Sequence, residues 1–554
     1  MEQPPGRLGA TPAAGQHEAN PDGHIPFAIR VGVTGHRRIA VTTALTIAVA
    51  DALERISALA PSAPGVPPIM VVISSLAEGA DRLVAKQVLA IERNRLEVAL
   101  PLAPDDYMED FKSEGSRREF HELLRDAGDV WQAPFDEDRD AAYESAGRHV
   151  VDRCDALIAL WDGEASRGRG GTADTVAYAR RRERPLLWIR PTSPPVLSDE
   201  LGSAATAVIT DAALDLRRFN GGTVPRDRIR ATVAAETRAL GLVPDAAGTA
   251  ELDGMAAAAT RTAAQLLPCF ARADLLAQAY QRRFHLASAA VFAAAAAAVI
   301  VGTLQWNFFR DLQWILAFEL GLLVLLLAIP FLSRRLRLHE RWISYRFLAE
   351  RLRSAYFLSL AGTSDRARRS SRPAYLSDSG DLWIARALEG ATAHVAHTSL
   401  RPSDVRSLRA YLGTVWIEGQ LDYHAKASRV HRERDEWLFI GTAGLFALTL
   451  VVTLVHIVLH DIPDLVERVL IMVSVCVPVI GAAVHGFGTT RQFRRNADRY
   501  ARMAVLLRTL KEEMDRARSL ETVRRIAADA EHVMREENSD WFGVMRFFDV
   551  ELIT

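Results

Sequence analysis

Residues 437–459 read WLFIGTAGLFALTLVVTLVHIVL, an apolar run in which His456 is the only ionisable side chain. A helix that crosses a hydrocarbon core of about 30 Å needs roughly 20 such residues. The alternative, a buried helix of a large soluble domain, is expected to carry a polar stripe, and this run has none. The stretch therefore predicts a transmembrane helix, and with it an integral membrane protein in contact with the lipid bilayer.

Three further stretches have the same character, and together the four form two pairs. The other three are residues 286–304, 314–332 and 469–488. Since the connections within the pairs are short, at 305–313 and 460–468, the sequence predicts two transmembrane hairpins. The span at 286–304 is the weakest of the four because it is rich in alanine, whose small side chain also allows another helix to approach closely.

Basic side chains flank both hairpins but are sparse between their spans. The flanking residues are Arg282, Arg283, Arg334, Arg335, Arg337, Arg341, Lys426, Arg429, Arg432, Arg434, Arg491, Arg494, Arg495 and Arg499. The two connections contain only Arg310 and Arg468. Because Lys and Arg concentrate in cytoplasmic loops, we expect a multi-pass protein of the cell inner membrane with both termini in the cytoplasm.

The two hairpins follow one plan. A helix bearing a tyrosine, Tyr280 or Tyr423, leads into each hairpin, and a long basic amphipathic helix leaves it, at 334–360 and from 492 to about 517. These later helices are too polar for lipid, so we expect them in the cytoplasm, packed on one another within the chain or between copies of a homo-oligomer. Glu319, inside a span, is expected either to make an interhelical or pore-facing contact or to reach water near the outer end.

The composition excludes several other classes of protein. Hydrophobic residues make up 49% of the 554 and charged residues 24%, with a mean hydropathy of +0.03, which indicates a soluble part joined to a membrane part. The net charge of −1 offers no global attraction for nucleic acid. The three cysteines show no metal-ligand spacing and fit a reducing compartment. Residues 1–26 are expected to form a disordered tail and are not a signal peptide.

Residues 27–191 alternate short apolar runs with helical patterns, which is typical of an α/β Rossmann-like domain with a parallel sheet. The expected strands are residues 27–34, 69–74, 96–102, 156–161 and 185–189, with a further short strand at 130–133. The other predicted divisions are a connecting region at 192–265, the first hairpin with its cytoplasmic helix at 266–362, a second connecting region at 363–410, and the second hairpin with the C-terminal helices at 411–554.

Polar and glycine-rich clusters follow three of the strands, at the edge where open α/β sheets bind ligands. The candidate ligand-binding residues are Thr34, Gly35, His36, Arg37, Ser74, Glu78, Gly79, Asp81, Asp162, Gly163, Gly170, Gly171 and Thr172. Glycines let backbone amides approach an anion, and a helix that starts at Thr172 offers free N–H groups. Arg37 and Arg38 can add charge-assisted hydrogen bonds, while Asp81 and Asp162 can accept from ribose hydroxyls. The pattern predicts a phosphate-bearing ligand.

Each cluster also has an ordinary structural explanation. A Gly-Gly-Thr sequence is common in turns, and residues 34–37 can form a tight strand-to-helix turn. Glu78 and Asp81 can cap and charge the first turn of the helix that follows them. The convergence of three clusters at one edge favours the ligand site over these alternatives.

The same segments resemble the SLOG superfamily, the Rossmann-like group that includes the LOG phosphoribohydrolases and the DNA-processing protein DprA. The resemblance is carried by residues 33–37 (VTGHR), 74–81 (SSLAEGAD) and 161–163 (WDG) leading to 170–176 (GGTADTV). It implies that this domain binds nucleotides or nucleotide derivatives.

The membrane part resembles SLATT domains, two-helix membrane effectors associated with SLOG and nucleotidyltransferase sensors in bacterial conflict systems. The segments concerned are residues 342–353 (WISYRFLAERLR) and 416–424 (WIEGQLDYH). The presence of both resemblances in one chain strengthens each.

One departure from the SLOG pattern bears on activity. Catalytic LOG-type members carry Pro-Gly-Gly-x-Gly-Thr-x-x-Glu, and the last Glu takes part in glycosidic cleavage. Thr175 stands at that place in this chain, and the neighbouring Asp174 points elsewhere on the helix. Because general acid–base chemistry needs a carboxylate within reach, the resemblance implies binding without turnover. The alternative is a membrane-tethered nucleotide or NAD glycohydrolase that uses Glu78.

The leading hypothesis is an antiphage membrane effector, gated by a nucleotide-derived ligand, whose spans leak ions or disrupt the membrane. A further hypothesis is that the four spans are a passive anchor for the sensor. The sequence indicates no cofactor, no metal and no nucleic-acid partner.

Overall fold

The computed structural model describes residues 20–134, 138–165, 169–242, 253–362, 382–393, 395, 400, 402–459 and 462–546. Most of the expected N-terminal tail therefore lies outside the described residues. The chain forms two compact units, one of Met1–Thr223 with Ser364–Val395 and the other of Val224–Thr363 with Ala396–Thr554. The polypeptide therefore passes from one unit to the other three times.

The first unit is built on a seven-stranded sheet. Its strands are β1 Ala28–Gly35, β2 Ile69–Ser74, β3 Arg95–Leu100, β4 Asp129–Gln132, β5 Ala156–Leu160, β6 Leu186–Arg190 and β7 Val196–Glu200. The strand order is β4-β3-β2-β1-β5-β6-β7, and every neighbouring pair is parallel except β6 with β7. The predicted α/β fold class with a largely parallel sheet is confirmed.

Helices cover this sheet and enclose its apolar strands. They are α1 Thr43–Ala58, α2 Ala80–Leu89, α3 Pro104–Met108, α4 Glu114–Asp126, α5 Arg139–Arg153, α6 Thr172–Arg181 and α7 Ser203–Asn220. Side-chain caps start several of them, as in α1, where Thr42 accepts from the backbone N–H of Leu45 at 3.2 Å. The five residues of β5 are all buried, as expected for a strand with helices on both faces.

Strand β7 lies in a segment for which the sequence predicted only a connection. It runs antiparallel to β6 at the edge of the sheet. Its sequence, VLSDE, is partly exposed and has neither a strong apolar run nor a clean alternation. An edge strand packs against one neighbour only, so its sequence carries little of the signal that marks a central strand.

A helix from the second predicted connecting region also belongs to the first unit. This helix, α12 Leu382–Thr392, packs against β1 and α7 and buries Trp383, Ile384 and Ala387. Gly390 allows the close approach, since a methyl group there would lie 2.0 Å from the carbonyl oxygen of Pro26. Helix α12, which lies in sequence between the two hairpins, is therefore part of the α/β unit.

The second unit is all-helical. Its helices are α8 Arg226–Ala239, α9 Asp253–Phe308, α10 Trp314–Arg335, α11 Leu338–Ala361, α13 Val405–Tyr411, α14 Gly419–Val458, α15 Asp464–Arg491, α16 Phe493–Arg516 and α17 Leu520–Arg546. A 3₁₀ turn at Pro402–Asp404 precedes α13, and a π-helix at Leu412–Glu418 joins α13 to α14.

Four helical stretches of the described chain are long and apolar enough to cross a membrane. They are Met255–Phe308, Trp314–Ala361, Val405–Val458 and Asp464–Arg516. Each contains one of the predicted spans, and the predicted all-α membrane region with four candidate transmembrane helices is confirmed.

Small residues bring the two hairpins together. Within each hairpin the two spans pack on each other, and α9 of the first hairpin also packs against α15 of the second. At that contact a methyl group added to Gly486 would lie 2.5 Å from the ring of Phe292. Close packing of this kind drives helix association in lipid, where burial of apolar surface contributes little.

The structure places Glu319 at a helix–helix contact. Its side chain is half-buried in α10, and a methyl group on Gly302 of α9 would lie 3.1 Å from the Glu319 carboxylate. The Glu319 carboxylate therefore lies at the contact between α9 and α10.

We expect Gly486→Leu to separate the hairpins, because the added side chain must displace Phe292. Overpacking of this kind costs about 1–3 kcal/mol. Gly444→Leu is the matched control, since Gly444 on α14 has nothing within 4 Å of the added methyl position. The measurement is the thermal midpoint of the detergent-solubilised chain, followed by fluorescence-detected size exclusion. Equal midpoints for the two variants would contradict the α9–α15 contact.

Candidate functional site

The strand order reverses between β1 and β5. From β1 the chain proceeds outward through β2, β3 and β4, then returns to place β5 on the other side of β1. In open α/β sheets the crevice beyond the carboxyl ends at such a switch point is the usual ligand site. His36 follows β1 and Asp162 follows β5, so the first and third predicted clusters meet there.

His36 and Asp162 bridge the two loops. The backbone N–H of Asp162 donates to Nε2 of His36 at 3.1 Å, and the same nitrogen lies 3.0 Å from Oδ1 of Asp162. When His36 is neutral with its proton on Nδ1, its Nε2 accepts a hydrogen bond from the backbone N–H of Asp162. When His36 is protonated, Nε2–H donates to the Asp162 carboxylate instead. The backbone N–H of Glu164 (2.9 Å) and His36 together lower the pKa of Asp162. Both side chains remain partly open to solvent.

Arg37 is held over the crevice by residues that the sequence analysis did not select. Its guanidinium lies 3.0 Å from Asp110 and 5.4 Å from the ring of Tyr143. The Asp110 carboxylate also accepts hydrogen bonds from the Arg139 guanidinium at 2.9 Å and from the hydroxyl of Tyr143. Burial opposes the ionisation of Asp110, but these donors outweigh it and lower its pKa. Asp110 follows β3 and α3, so its position near the carboxyl edge of the sheet could have been predicted from the sequence. Its pairing with Arg37 could not, because the two residues are far apart in the chain.

Gly35 and Gly79 are required by the close approach of the first two loops. A methyl group on Gly35 would lie 2.4 Å from Cβ of Ala80, and one on Gly79 would lie 2.6 Å from the carbonyl oxygens of His36 and Arg37. Gly79 also has φ +78°, in the left-handed region. Backbone packing thus accounts for both glycines.

Ser74 and Asp81 build the turn after β2 and do not face solvent. Ser74 Oγ donates to Asp81 at 3.0 Å, the N–H of Ser75 donates to the same carboxylate at 3.1 Å, and Asp81 is only 4% exposed. Glu78 is half-buried and accepts from the hydroxyl of Ser116 near the start of α4. These three candidates therefore shape the loop beside the crevice.

Gly170 and Gly171 precede α6, and Thr172 is its first residue. Gly170 has φ +78°, and a methyl group there would lie 2.6 Å from the backbone nitrogen of Glu144. The N-cap Gly171 has no side chain to satisfy the first N–H groups of α6. Asp174 accepts from the N–H of Gly170 at 3.1 Å.

A cavity of about 200 Å³ lies beside this turn. Its lining includes Arg148, Arg169, Arg181, Tyr178 and Glu144. Arg148 and Arg181 lie 5.5 Å and 5.7 Å from the Tyr178 ring centroid. The combination of arginines and an aromatic ring suits a planar or anionic group, although Glu144 pairs with Arg148 and Arg169.

The remaining candidates lie near the same edge. Thr34 is half-buried and pairs with Ala159 across the switch point. Gly163 is exposed with φ +95°, next to the ring of Trp188. Residues 166–168 of the following loop lie outside the described residues.

Thr175 is packed inside the domain. It is 6% exposed, and its hydroxyl donates to the carbonyl oxygen of Gly171 at 3.2 Å. A methyl group on Gly147 of α5 would lie 2.7 Å from that hydroxyl. The side chain at this position lies in the α5–α6 contact, where it also lines the cavity beside Gly170.

A second charged cluster lies at the amino ends of the same two strands. Asp155, just before β5, pairs with Arg386 of α12, and Arg30 of β1 pairs with Glu389 of α12 and with Glu97 of β3. Arg30, Asp155 and Arg386 are 4–6% exposed. Burial opposes the ionisation of Glu389, but Arg30 and Arg386 outweigh it and hold its pKa below its usual range. A cavity of about 80 Å³ adjoins this cluster.

In the part of the chain that the structure describes, no group of three or more His, Cys, Asp and Glu side chains is arranged to hold a metal ion.

The fold therefore defines a membrane protein with a Rossmann-like α/β unit and four candidate membrane-spanning helices. Residues 414–541 match the family model described as "SMODS and SLOG-associating 2TM effector domain 1" (SLATT_1). That segment is the second hairpin with the helices that follow it. No curated protein matches the chain.

Replacing Asp81 by Asn is expected to change how folding depends on pH. Burial raises the pKa of Asp81 from 3.8 to about 6, against the hydrogen bonds from Ser74 and from the backbone of Ala77 and Ser75. The native state then binds this proton more tightly than the unfolded state, so the group's contribution to stability falls as pH rises through that window, by about 3 kcal/mol.

Since asparagine does not titrate, the stability of D81N relative to the native chain should increase from pH 4 to pH 6. Pulse proteolysis in urea of the full-length chain in detergent, followed through an N-terminal tag, measures the difference. A difference that does not vary with pH would show that Asp81 has an ordinary pKa.

Proposed function

We propose that this protein is a membrane effector of a bacterial conflict system, gated by a nucleotide-derived ligand that binds its α/β unit. The match of residues 414–541 to a two-helix effector domain supports the effector half of the proposal. The crevice at the β1–β5 switch point supports the ligand half. The observation that carries the gating is α12, which lies in sequence between the two hairpins and is folded into the unit that contains the crevice.

The crevice offers the groups that a nucleotide needs. Arg37, which is held by Asp110 and partly exposed, and the uncapped start of α6 can both bind an anion, and Asp162 can accept hydrogen bonds from ribose hydroxyls. The arginine-lined cavity beside Gly170 extends this surface. Binding without turnover is favoured, because Thr175 is packed against Gly147 and Glu78 is bonded to Ser116.

The two central strands connect the crevice to α12. β1 carries Arg30 near its amino end and leads to His36, and β5 follows Asp155 and leads to Asp162. His36 and Asp162 are in contact in this structure, and a ligand that enters between them and separates them shifts the two strands relative to each other. Arg30 and Asp155, which hold Glu389 and Arg386 of α12, move with them. Release of α12 frees the segment that joins the hairpins.

One ligand per chain of an oligomer can supply the free energy needed to switch the protein from its inactive to its active state. A change from 1% to 99% active needs about 5.5 kcal/mol of differential affinity. In an oligomer whose copies switch together, the differential binding free energies of the ligands on all copies add. Removing one partner from a buried ion pair costs about 3–5 kcal/mol, which is the scale on which α12 docking is held. In this proposal both termini are cytoplasmic in the inner membrane, and the active spans let ions leak.

Arg37→Ala is expected to abolish the response to infection, because it removes the cation at the crevice. Arg38→Ala is the matched control, since Arg38 is exposed and adjacent in sequence. Cells expressing each variant at equal levels are challenged with phage, and membrane potential is recorded with a fluorescent dye. Depolarisation that survives in Arg37→Ala and in the native chain alike would contradict the assigned site.

Release of α12 by mutation is expected to depolarise cells without infection. Arg386→Ala leaves Asp155 buried without this partner, and Gly390→Leu blocks docking because of the contact with Pro26. Ala391→Leu, at a half-buried neighbouring position, is the control. Limited proteolysis shows whether α12 has become accessible. Variants that expose α12 to protease yet leave the resting potential and the infection response unchanged would rule out this gating route.

A further inference from the structure

The two hairpins share details that a common amphipathic plan does not require. In each, five residues join the spans, 309–313 between α9 and α10 and 459–463 between α14 and α15. A left-handed residue stands directly before the helix that leaves each hairpin. Arg337 (φ 51°, ψ 42°) lies two residues after the end of α10, and Gln492 (φ 49°, ψ 40°) lies one residue after the end of α15. A helix of 24 residues follows in both cases.

The left-handed residues are the stronger part of this likeness. Side chains other than glycine rarely adopt positive φ, and the described chain has only Leu76, Glu183, Arg337 and Gln492 in that class. Two of these four stand at the same place in the two hairpins, where a span gives way to the polar helix that leaves it.

Each of the six buried residues of α16 has a buried equivalent in α11, which buries sixteen of its 24 residues. Counting from Arg337 and Gln492, equivalent residue numbers differ by 155. The buried equivalent pairs are Leu338 and Phe493, Trp342 and Ala497, Leu348 and Met503, Ala349 and Ala504, Leu352 and Leu507, and Ser359 and Met514. Any amphipathic helix buries every third or fourth residue, so this register supports the likeness only together with the other features.

A tyrosine pair marks the same point in both. Tyr345 of α11 meets Tyr280 of α9 with ring centroids 5.6 Å apart and planes at 75°. Tyr500 of α16, the residue equivalent to Tyr345, meets Tyr423 of α14 at 6.2 Å and 79°. Edge-to-face pairs of this kind depend on geometry as well as on apolarity.

The hairpins differ in length, and they differ in both arms. Phe308 ends α9 28 positions after Tyr280, whereas Val458 ends α14 35 positions after Tyr423. The second spans have 22 and 28 residues. The first hairpin is therefore shorter by seven residues, about two helical turns, in its first arm. Counted from the start of the second span to Arg337 or Gln492, it is shorter by five residues, about one and a half turns, in its second arm.

We infer that the first hairpin, residues 255–361, is a second, divergent copy of the two-helix effector unit that the family model matches at residues 414–541. Each chain then carries two effector units as a covalent pair. The copies touch through α9 and α15, through Arg346 and Tyr423 at 3.4 Å, and through Arg351 and Glu531. The functional half of this inference rests on the proposed effector function; the structural half does not.

The structural half is tested at the left-handed residues. Arg337→Gly and Gln492→Gly are expected to keep the thermal midpoint of the detergent-solubilised chain, because glycine adopts positive φ freely. Arg337→Val and Gln492→Val are expected to lower it by similar amounts, because a β-branched residue resists that conformation. Sensitivity at Gln492 with none at Arg337 would overturn the duplication, whether or not the protein acts on membranes.

The functional half is tested at the tyrosines. Tyr345→Ala and Tyr500→Ala are each expected to reduce infection-induced depolarisation at least tenfold, while Tyr345→Phe and Tyr500→Phe, which keep the ring contact, retain it. Loss in Tyr500→Ala with full activity in Tyr345→Ala, at equal expression, would make the first hairpin an anchor and overturn the inference. A native chain that never depolarises would refute the proposed function instead, and the valine variants would still decide the duplication.

Discussion

The buried ion pair between Asp155 and Arg386 gives the chain its organisation. It joins a residue at the start of β5 to one on α12, more than two hundred positions later, and Arg30 with Glu389 makes a parallel connection to β1. Charges this deeply buried are tolerated only when they are paired. Because of these pairs, α12, which lies in sequence between the two hairpins, is a component of the α/β unit. Strands β1 and β5 connect the residues that hold α12 to the residues of the crevice, as the proposed function requires.

At the carboxyl edge of the sheet, some of the residues that the sequence pattern selected serve backbone packing, and others are available for ligand binding in the proposed function. Gly35, Gly79 and Gly170 are explained by close backbone contacts, and Ser74 with Asp81 by the turn that they build. The side chains of His36, Arg37 and Asp162 are partly exposed at this edge, and with the uncapped start of α6 they are the groups through which we propose that a ligand binds. A glycine-rich loop and a ligand-binding surface can therefore coincide without being made of the same residues.

The helices of the membrane unit are held together by different interactions, because burial of apolar surface contributes little to helix packing in lipid. Its order depends on close contacts such as Gly486 with Phe292, and on the tyrosine pairs that join each polar helix to the helix entering its hairpin. The two hairpins have the same tyrosine contact, and they pack against each other through α9 and α15.

The sequence by itself determined the fold class, the positions of the six main strands and the four spans, because each depends on local apolar pattern and on length. It also brought His36 and Asp162 to one edge, since the carboxyl ends of parallel strands must meet. Only the tertiary structure placed Asp110 and Tyr143 beside Arg37, added β7 to the sheet and assigned α12 to the α/β unit. The physical reason is that these depend on pairings between distant residues: a charge or an edge strand has no local signature until its partner is known.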